Sequence, residues 1–332
     1  MKKLIFVLVA VAIAATSCNK SEINDYSNVQ VKLSVSMPET LTKSNFTLTN
    51  PSNPIGGMKV TWAESDRLTL IVFQGDNANW ADKCVYKEFF MPAAADGLTT
   101  YDVSSLVESL DLSSFDPSQN LKYVVVLCNG GFLDSYKEFN IWNGSLYLNP
   151  SLSVSEQIKY DGMMAETDVQ EVPFSNPLVL SGSLHWITSV LAVQFDIDPA
   201  ADITYEAESF FKMKLIGPCY VDNYIPITKE SGNYCSYTSR CIYFESAGKL
   251  SEALDANKCR YFTIPADNMT TDASQKLAGS SISFHKHLGT ETDYTSTGTI
   301  GADVTIEAGK VYGIKIHVTD TNGDGEPEFT KM

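Results

Sequence analysis

Arginine and histidine are scarce in this sequence, and the cysteine spacings typical of metal sites are absent. Each of these observations argues against a class of function. Only three of the 332 residues are arginines (Arg67, Arg240 and Arg260), and the formal net charge is −16. Such an acidic surface repels phosphate groups, so no nucleic-acid binding is expected. Histidines number four and no two cysteines have C-x-x-C spacing, so no metal site and no cofactor are predicted.

Catalytic motifs are also missing. The sequence contains no G-x-S-x-G, no H-E-x-x-H and no Walker phosphate-binding loop. Aspartate and glutamate together number 40, yet no two of them stand out as the carboxylate pair of a glycosidase. We therefore expect a protein that is not an enzyme.

The N-terminus carries the features of an export signal. Two lysines precede twelve apolar residues, 4–15. This run is shorter than the roughly 20 residues of a membrane span, and it suits the apolar region of a signal peptide. Small residues then precede Cys18, an arrangement that resembles the lipid-attachment site of bacterial lipoproteins. We predict a signal peptide at 1–17, lipidation at Cys18 and a polar tether at 18–28; the alternative is an ordinary secretory signal followed by a chance cysteine.

Six further cysteines are available for disulfides, which an exported chain permits. They are Cys84, Cys128, Cys219, Cys235, Cys241 and Cys259. The last four fall within residues 219–259, where one or two bridges are expected, and the sequence leaves their three pairings open. Cys128 ends the apolar run YVVVLC and is expected to be buried.

Alternation of apolar and polar residues is the dominant pattern. In residues 29–37, Val29, Val31, Leu33, Val35 and Met37 share one face, which predicts a half-buried strand. Further strands are predicted at 58–62, 67–73, 83–91, 121–128, 178–186, 190–197, 211–217, 241–246, 260–265, 281–287 and 310–318.

Many short strands separated by turn residues favour an all-β fold of β-sandwiches, with short helices only within 101–110 and 250–258. Residues 165–178 are polar and contain two prolines, which favours a linker. We predict two tandem domains, at 29–170 and 171–332.

Three local patterns together resemble one family. They are WAESDRLTLIVF at 62–73, YDGMMAETDVQEVPF with LVLSGSLHWITSVLAVQFDI at 160–197, and IEAGKVYGIKIHV at 306–318. With the lipidation site, these patterns resemble the fimbrillin (Mfa-like) family of Bacteroidetes lipoproteins. The physical interpretation of single residues is structural. His185 is expected to be a packed core histidine, and Gly309 is expected to supply a positive φ in a turn.

The resemblance implies two transthyretin-like sandwiches, attachment to the outer membrane through Cys18, and assembly into surface pili that bind a host or bacterial receptor. It also implies that a protease removes the first strand and that a strand of another pilus subunit replaces it. The displaced strand is then residues 29–37, and the cleavage site is Lys43, where the family usually has arginine.

The donor strand is less evident from the sequence. Residues 319–332 are polar apart from Phe329. The last strand, with Tyr312, Ile314, Ile316 and Val318 on one face, is therefore the candidate donor. Otherwise the subunit does not donate and lies at a pilus end as a tip or accessory subunit.

Other features suggest weaker alternatives. Residues 320–331 have the early acidic spacing of a calcium loop, but Lys331 replaces its final glutamate, which favours an acidic tail. His285 and His287 are expected to be exposed. A different class of function, a carbohydrate-binding surface lipoprotein, requires exposed aromatic side chains, for which Trp80 and Trp142 are candidates.

Overall fold

Strands account for nearly all regular structure in the computed structural model, as the alternating sequence predicts. The described residues are 25–36, 45–48, 58–61, 66–91, 99–128, 139–140, 146–148, 164–214, 223–232, 239–244, 246–254, 259–265, 279–285, 294–299, 305–323, 325 and 327–330. The prediction of an all-β fold is confirmed. No helix in these ranges is long and apolar enough to cross a membrane.

The strands are numbered in chain order. The N-terminal group is β1 (Val29–Ser36), β2 (Asn45–Leu48), β3 (Met58–Thr61), β4 (Arg67–Phe73), β5 (Cys84–Phe90), β6 (Thr100–Asp102), β7 (Ser109–Leu110), β8 (Leu121–Cys128), β9 (Phe139–Asn140), β10 (Leu146–Leu148), β11 (Met164–Glu166), β12 (Gln170–Val172) and β13 (Leu178–Ser183). The C-terminal group is β14 (His185–Trp186), β15 (Thr188–Ile197), β16 (Thr204–Tyr205), β17 (Phe210–Lys214), β18 (Asn223–Ile225), β19 (Glu230–Gly232), β20 (Ser239–Phe244), β21 (Gly248–Lys249), β22 (Cys259–Pro265), β23 (Ser281–His285), β24 (Tyr294–Thr299), β25 (Val311–Thr319) and β26 (Glu328–Thr330).

The helical segments in the described ranges are short. Single-turn helices α1 (Ser104–Val107) and α2 (Leu250–Ala253) lie inside the two ranges where short helices are predicted. Turns of 3-10 helix cover Tyr26–Asn28 and Asn77–Lys83.

The first core lies between two sheets. One sheet has the order β13-β1-β6, with β7 also paired to β1; the other has the order β14-β11-β8-β4-β5, with β12 also paired to β8. Leu68 and Leu70 of β4 point into the first core, whereas Ile71 and Phe73 belong to a further apolar cluster on the other face of the same sheet. Because β4 and β8 are covered on both faces, apolar residues stand at both odd and even positions of their sequences.

The second core lies between the sheet β22-β15-β25-β26 and the five-stranded sheet β10-β20-β17-β23-β24. β15 contributes to both cores, because neighbouring side chains on a strand point to opposite faces. Val190 and Ala192 pack in the first core, and Leu191 and Val193 pack in the second.

The segment predicted to be a linker contains strands instead. Residues 164–166 and 170–172 form β11 and β12, which both pair antiparallel with β8. β13 then pairs with β1, and its Leu178 and Leu180 belong to the first core. The boundary predicted between residues 170 and 171 falls inside β12. The polar residues of this segment are accommodated in two ways: Asp168 and Glu171 are exposed, whereas Glu166 is buried and paired inside the fold.

Candidate functional site

β1 is the strand that the resemblance marks for removal, and it lies between two walls of backbone. On one side it runs parallel to β13, with Val31 to Ser36 opposite Leu178 to Ser183. On the other side its first residues pair antiparallel with β7 and its last residues with β6. We call the space that β1 fills, between β13 on one side and β6 and β7 on the other, the β1 slot.

The side chains of β1 fill the slot by strict alternation. Val29, Val31, Leu33 and Val35 are 0%, 3%, 1% and 0% exposed and belong to the first core. Met37 lies outside the described residues. Burying an aliphatic side chain contributes roughly 1.5–3 kcal/mol, so the four together contribute about 6–12 kcal/mol. That is comparable to the whole net stability of a typical domain, about 5–15 kcal/mol. The first core therefore depends on this strand or on an equivalent one.

One wall of the slot is interrupted by α1, and side chains complete the hydrogen bonding there. The Leu33 N–H donates to Ser104 Oγ at 3.0 Å, and the Ser104 hydroxyl donates to Asp102 Oδ1 at 2.5 Å. The hydrogen bonds from the Ser104 hydroxyl and N–H lower the pKa of Asp102, so its carboxylate orients the Ser104 hydroxyl while ionised. Backbone bonds from Val31 N–H to Glu108 O (3.0 Å) and from Val103 N–H to Leu33 O (2.9 Å) flank this contact.

Both ends of the β1 segment are also attached. Tyr26 packs edge-on against Phe174 with ring centroids 4.6 Å apart, and its carbonyl accepts from Leu112 N–H at 2.7 Å. At the other end, Ser36 O accepts from Leu184 N–H at 2.8 Å. Contacts with the rest of the fold therefore hold this segment from Tyr26 to Ser36.

The predicted processing residues, Cys18 and Lys43, lie outside the described residues. β1 ends at Ser36 and β2 begins at Asn45. A cut after Lys43 would therefore separate β1 from the rest of the chain without dividing any described strand.

The candidate donor strand, β25, is embedded in the second core. Ile314, Ile316 and Val318 are 7%, 0% and 0% exposed. β25 runs parallel to β15 along eight residue pairs, Val190↔Val311 to Ile197↔Val318. Tyr312 is half-buried, and its hydroxyl accepts from Glu307 N–H at 2.7 Å. Donating this strand would therefore empty a core of this chain.

β25 is also not the last strand, and that prediction is wrong. β26 follows it and pairs antiparallel with it, with Phe329 opposite Val318. Phe329 packs edge-on against Phe211 with ring centroids 6.0 Å apart. The contacts described for this strand are one aromatic side chain and three residue pairs with β25. With only three residues, it is too short for its sequence to show a recognisable alternation.

A buried polar cluster that the sequence does not single out lies beside the first core. Glu166 of β11 is 1% exposed, and its Oε1 accepts from Tyr224 Oη at 3.0 Å and from Lys229 Nζ. His185 Nε2 lies 3.8 Å from the same oxygen, and the His185 side chain is 43% exposed, so it is a rim residue and not a packed core histidine. Burial raises the pKa of Glu166 and Tyr224 and lowers that of His185, while Asp168 adds a nearby negative charge. The cluster joins the turn after β18 to β11.

The remaining histidines and the calcium-like loop are only partly among the described residues. Across the described ranges, no three histidine, cysteine or acidic side chains are placed to share an ion. His285 is 2% exposed and stacks on Phe210 at 4.6 Å, so the expectation of exposure is wrong; His287 lies outside the described residues. In the loop after β25, Asp320 Oδ2 accepts from Gly325 N–H at 3.1 Å.

The cysteine and tryptophan expectations have mixed outcomes. Cys128 is buried, as expected, and Cys84 is half-buried, with its thiol 3.7 Å from Ala81 O. The side chains of the four cysteines between 219 and 259 lie outside the described part of the structure. Trp80 is 4% exposed and packs near Phe73, so it is not a surface platform. Trp142 lies outside the described residues.

No protein-family model matches the chain, and no curated protein sequence matches it. Among solved structures, a proposed cell adhesion protein from Bacteroides fragilis has 11% identity and a TM-score of 0.41, covering 92% of this chain and 97% of that chain. A proposed polysaccharide-binding protein from Bacteroides thetaiotaomicron has 9% identity and a TM-score of 0.41, covering 89% and 93%. A fimbrial assembly protein from Parabacteroides distasonis has 11% identity and a TM-score of 0.37, covering 88% and 92%. At these identities and scores, the function has to be inferred from the residues of this chain.

Proposed function

We propose that this protein is a fimbrillin-like pilus subunit or pilus-associated adhesin that acts by binding other subunits and a surface receptor, not by catalysis. It is exported as a lipoprotein through Cys18 and displayed at the outer membrane. Cleavage near Lys43 then allows β1 to be replaced by a strand of another subunit. The observation that carries the proposal is the β1 slot: four alternating buried side chains, paired on both sides, in a segment that one cut outside the described strands would detach.

The energetics of the β1 slot favour replacement of β1 by another strand over removal of β1 alone. An empty slot would expose the first core and leave backbone groups of β13, β6 and β7 unpaired. The free-energy cost of these two effects is far larger than the gain in conformational entropy of the released strand. An incoming strand recovers the ladder through its backbone and the apolar contacts through its alternate side chains. A cut chain therefore favours partners that supply an extended, alternating segment.

Mild trypsin treatment of the purified protein tests this proposal. We expect cleavage after Lys43, a new N-terminus at Ser44, and high-mass polymers that resist denaturants. The Lys43→Arg variant should behave in the same way, whereas Lys43→Gln should stay uncut at this position and monomeric. A protein that is cut after Lys43 and stays monomeric at every concentration contradicts donor-strand assembly between copies of this chain.

One observation favours the second candidate function, carbohydrate binding at the cell surface. Tyr86 and Phe90 of the edge strand β5 are 42% and 55% exposed, and the Arg67 guanidinium lies 5.8 Å from the Phe90 ring centroid. Exposed aromatic rings beside an arginine can stack on sugars. Binding to a glycan array that is lost in both Tyr86→Ala and Phe90→Ala, and kept in Val179→Ala, would support this function. Absence of glycan binding by the unmodified protein would exclude it for the sugars tested.

A further inference from the structure

The outer edge of β13 is a sheet edge without the usual protection against pairing. β13 is the end strand of its sheet, pairing with β1 on one side and with no other strand in the described ranges. Its sequence, LVLSGS, contains no charge and no proline, and Val179 is 59% exposed. Edge strands normally carry charges, prolines or bulges that keep other chains from adding to them.

The backbone groups that face this edge can be identified from the hydrogen bonds. The Leu184 N–H, one residue beyond β13, donates to Ser36 O at the end of β1. Because the backbone groups of successive strand residues point to opposite sides, the even-numbered residues of β13 face β1. The odd-numbered residues Val179, Ser181 and Ser183 therefore face outward, where a further strand would pair.

A tyrosine from the opposite sheet occupies the middle of this outer edge. The Ser181 N–H donates to Tyr123 Oη at 3.2 Å, and the Tyr123 hydroxyl lies 2.6 Å from Ser181 O. The same hydroxyl lies 2.7 Å from Gln170 Oε1 of β12. Tyr123 is 3% exposed, so its ring is held in the first core and only its hydroxyl reaches the edge.

The two sheets are close together at this point. A Cβ placed on Gly182 would lie 2.6 Å from Thr167 Cγ2, so only glycine allows β13 to pack against residue 167. The Tyr123 hydroxyl consequently reaches the strand without any displacement of the sheets. The N–H of Ser181, the central outward-facing residue, is therefore paired with a side chain, and its carbonyl oxygen lies within hydrogen-bond distance of the same hydroxyl.

We propose that Tyr123 guards the outer edge of β13 and prevents a second copy of this chain from pairing there. The occupant it excludes is β13 of another molecule, added antiparallel about a twofold axis, the pairing that a short uncharged edge allows. The biological purpose rests on the proposed strand exchange: with this edge closed, an incoming strand cannot add beside β13 instead of entering the β1 slot next to it. The guarding contact itself requires no cleavage and is testable on the uncut protein.

Sedimentation of the purified, uncut Tyr123→Phe variant tests the guard. We expect concentration-dependent dimers of the variant and monomers of the unmodified protein under the same conditions. Adding Val179→Lys to Tyr123→Phe should restore the monomer, because a charge on an edge strand disfavours pairing. Val179→Lys alone is the matched control and should stay monomeric. A folded Tyr123→Phe variant that stays monomeric, or dimers that Val179→Lys does not reverse, would overturn the proposal.

Amide hydrogen exchange on the unmodified protein tests the contact even where Tyr123→Phe does not fold. The Ser181 amide should exchange at least about tenfold more slowly than the Val179 and Ser183 amides, because only Ser181 donates to Tyr123. Equal exchange at the three amides would overturn the guard. If the trypsin-cut protein fails to polymerise, the sedimentation and hydrogen-exchange results are unaffected. The role of Tyr123 and the proposed strand exchange can therefore be rejected independently of each other.

Discussion

At the scale of single residues, Glu166 shows how a buried charge is retained inside a β-sandwich. Its carboxylate is paired with Lys229 and Tyr224, and removing one partner of a buried pair leaves the other uncompensated. In sequence Glu166 stands among the polar residues of MMAETDVQ, and nothing there marks it as buried. Its position became evident only from its long-range contacts with residues 224 and 229.

Replacing Glu166 with Gln should change how stability depends on pH. Burial raises the pKa of Glu166 above its ordinary value of 4.5, so the folded chain holds this proton more tightly than the unfolded chain does. The contribution of Glu166 to the free energy of unfolding should therefore fall as pH rises from about this value through the raised pKa, and stay constant above it. Glu166→Gln cannot titrate and should lack this slope in denaturant unfolding measured across a pH series.

The matched control for this change is Glu88→Gln, which removes an exposed carboxylate of β5. If the unmodified protein and Glu166→Gln give parallel curves of unfolding free energy against pH, the assignment of this pH dependence to Glu166 is wrong.

Gly309 illustrates a residue whose role the sequence does predict. Its φ is +70°, as expected for a turn glycine, and a Cβ there would lie 2.9 Å from Trp186 Cδ1. Gly309→Ala should therefore destabilise the protein twice over, by about 1–2 kcal/mol for the left-handed backbone and by roughly 1–3 kcal/mol for the collision with Trp186. Gly323→Ala is the matched control, because its φ is +74° with no atom within 4 Å of the added carbon. Equal losses in the two variants, measured by denaturant unfolding, would remove the contact with Trp186 from the explanation.

At the scale of elements, strands covered on both faces were predictable and elements that depend on distant partners were not. The strands at residues 67–73 and 121–128 have the bounds that their apolar runs predict. β11 and β12 were missed because their polar residues gain their place through pairing with other strands, β8 for both and also β14 for β11. His285 was misplaced because its burial depends on a distant residue. It keeps the alternation of β23 and lies on the same face as Ser283, where the Phe210 ring of the neighbouring strand covers it.

The β1 slot was predictable in part for the same reason. The alternation of residues 29–37 identifies the strand and its buried face, but not its neighbours. The parallel pairing with β13, about 150 residues later in the register Val31↔Leu178, depends on the whole fold. The α1 interruption and the Ser104 contact have no sequence signature beyond the serine that follows Asp102 by two residues.

Ser104→Ala should weaken the hold of the slot on β1. The substitution leaves the Leu33 N–H without its acceptor, which costs about 1–3 kcal/mol when a buried donor is left unpaired. Ser105→Ala on the exposed face of the same helical turn is the matched control, because it brings the same change in helix propensity without touching β1. Ser104→Thr, which keeps a hydroxyl, should retain most of the stability. Indistinguishable unfolding free energies for Ser104→Ala and Ser105→Ala would show that Ser104 does not hold β1.

At the scale of the whole molecule, each core is closed by a parallel pair of strands. β1 lies beside β13 in the first core, and β15 lies beside β25 in the second, each with an antiparallel strand on its other side. The outer edges are closed differently: β26 pairs with β25, whereas the Tyr123 hydroxyl bonds to β13. The chain connects β15 to a strand at each of its ends, β14 before it and β16 after it. β1, in contrast, is joined to the later strands only through residues 37–44. The β1 slot is therefore the one of these two positions from which a single cut can release a strand.

A synthetic peptide of residues 29–36, VQVKLSVS, should therefore compete for the β1 slot of the trypsin-cut protein. Its four alternating aliphatic side chains match the buried positions of β1, so excess peptide should suppress polymers in proportion to its occupancy. The Lys32→Ala peptide alters only an exposed position and should compete equally well. The Leu33→Asp peptide places a charge in the core and should fail to compete. Equal competition by the Asp and Ala peptides, in polymer assays and in binding of the labelled peptides to cut protein, would mean that the slot does not select alternating apolar strands.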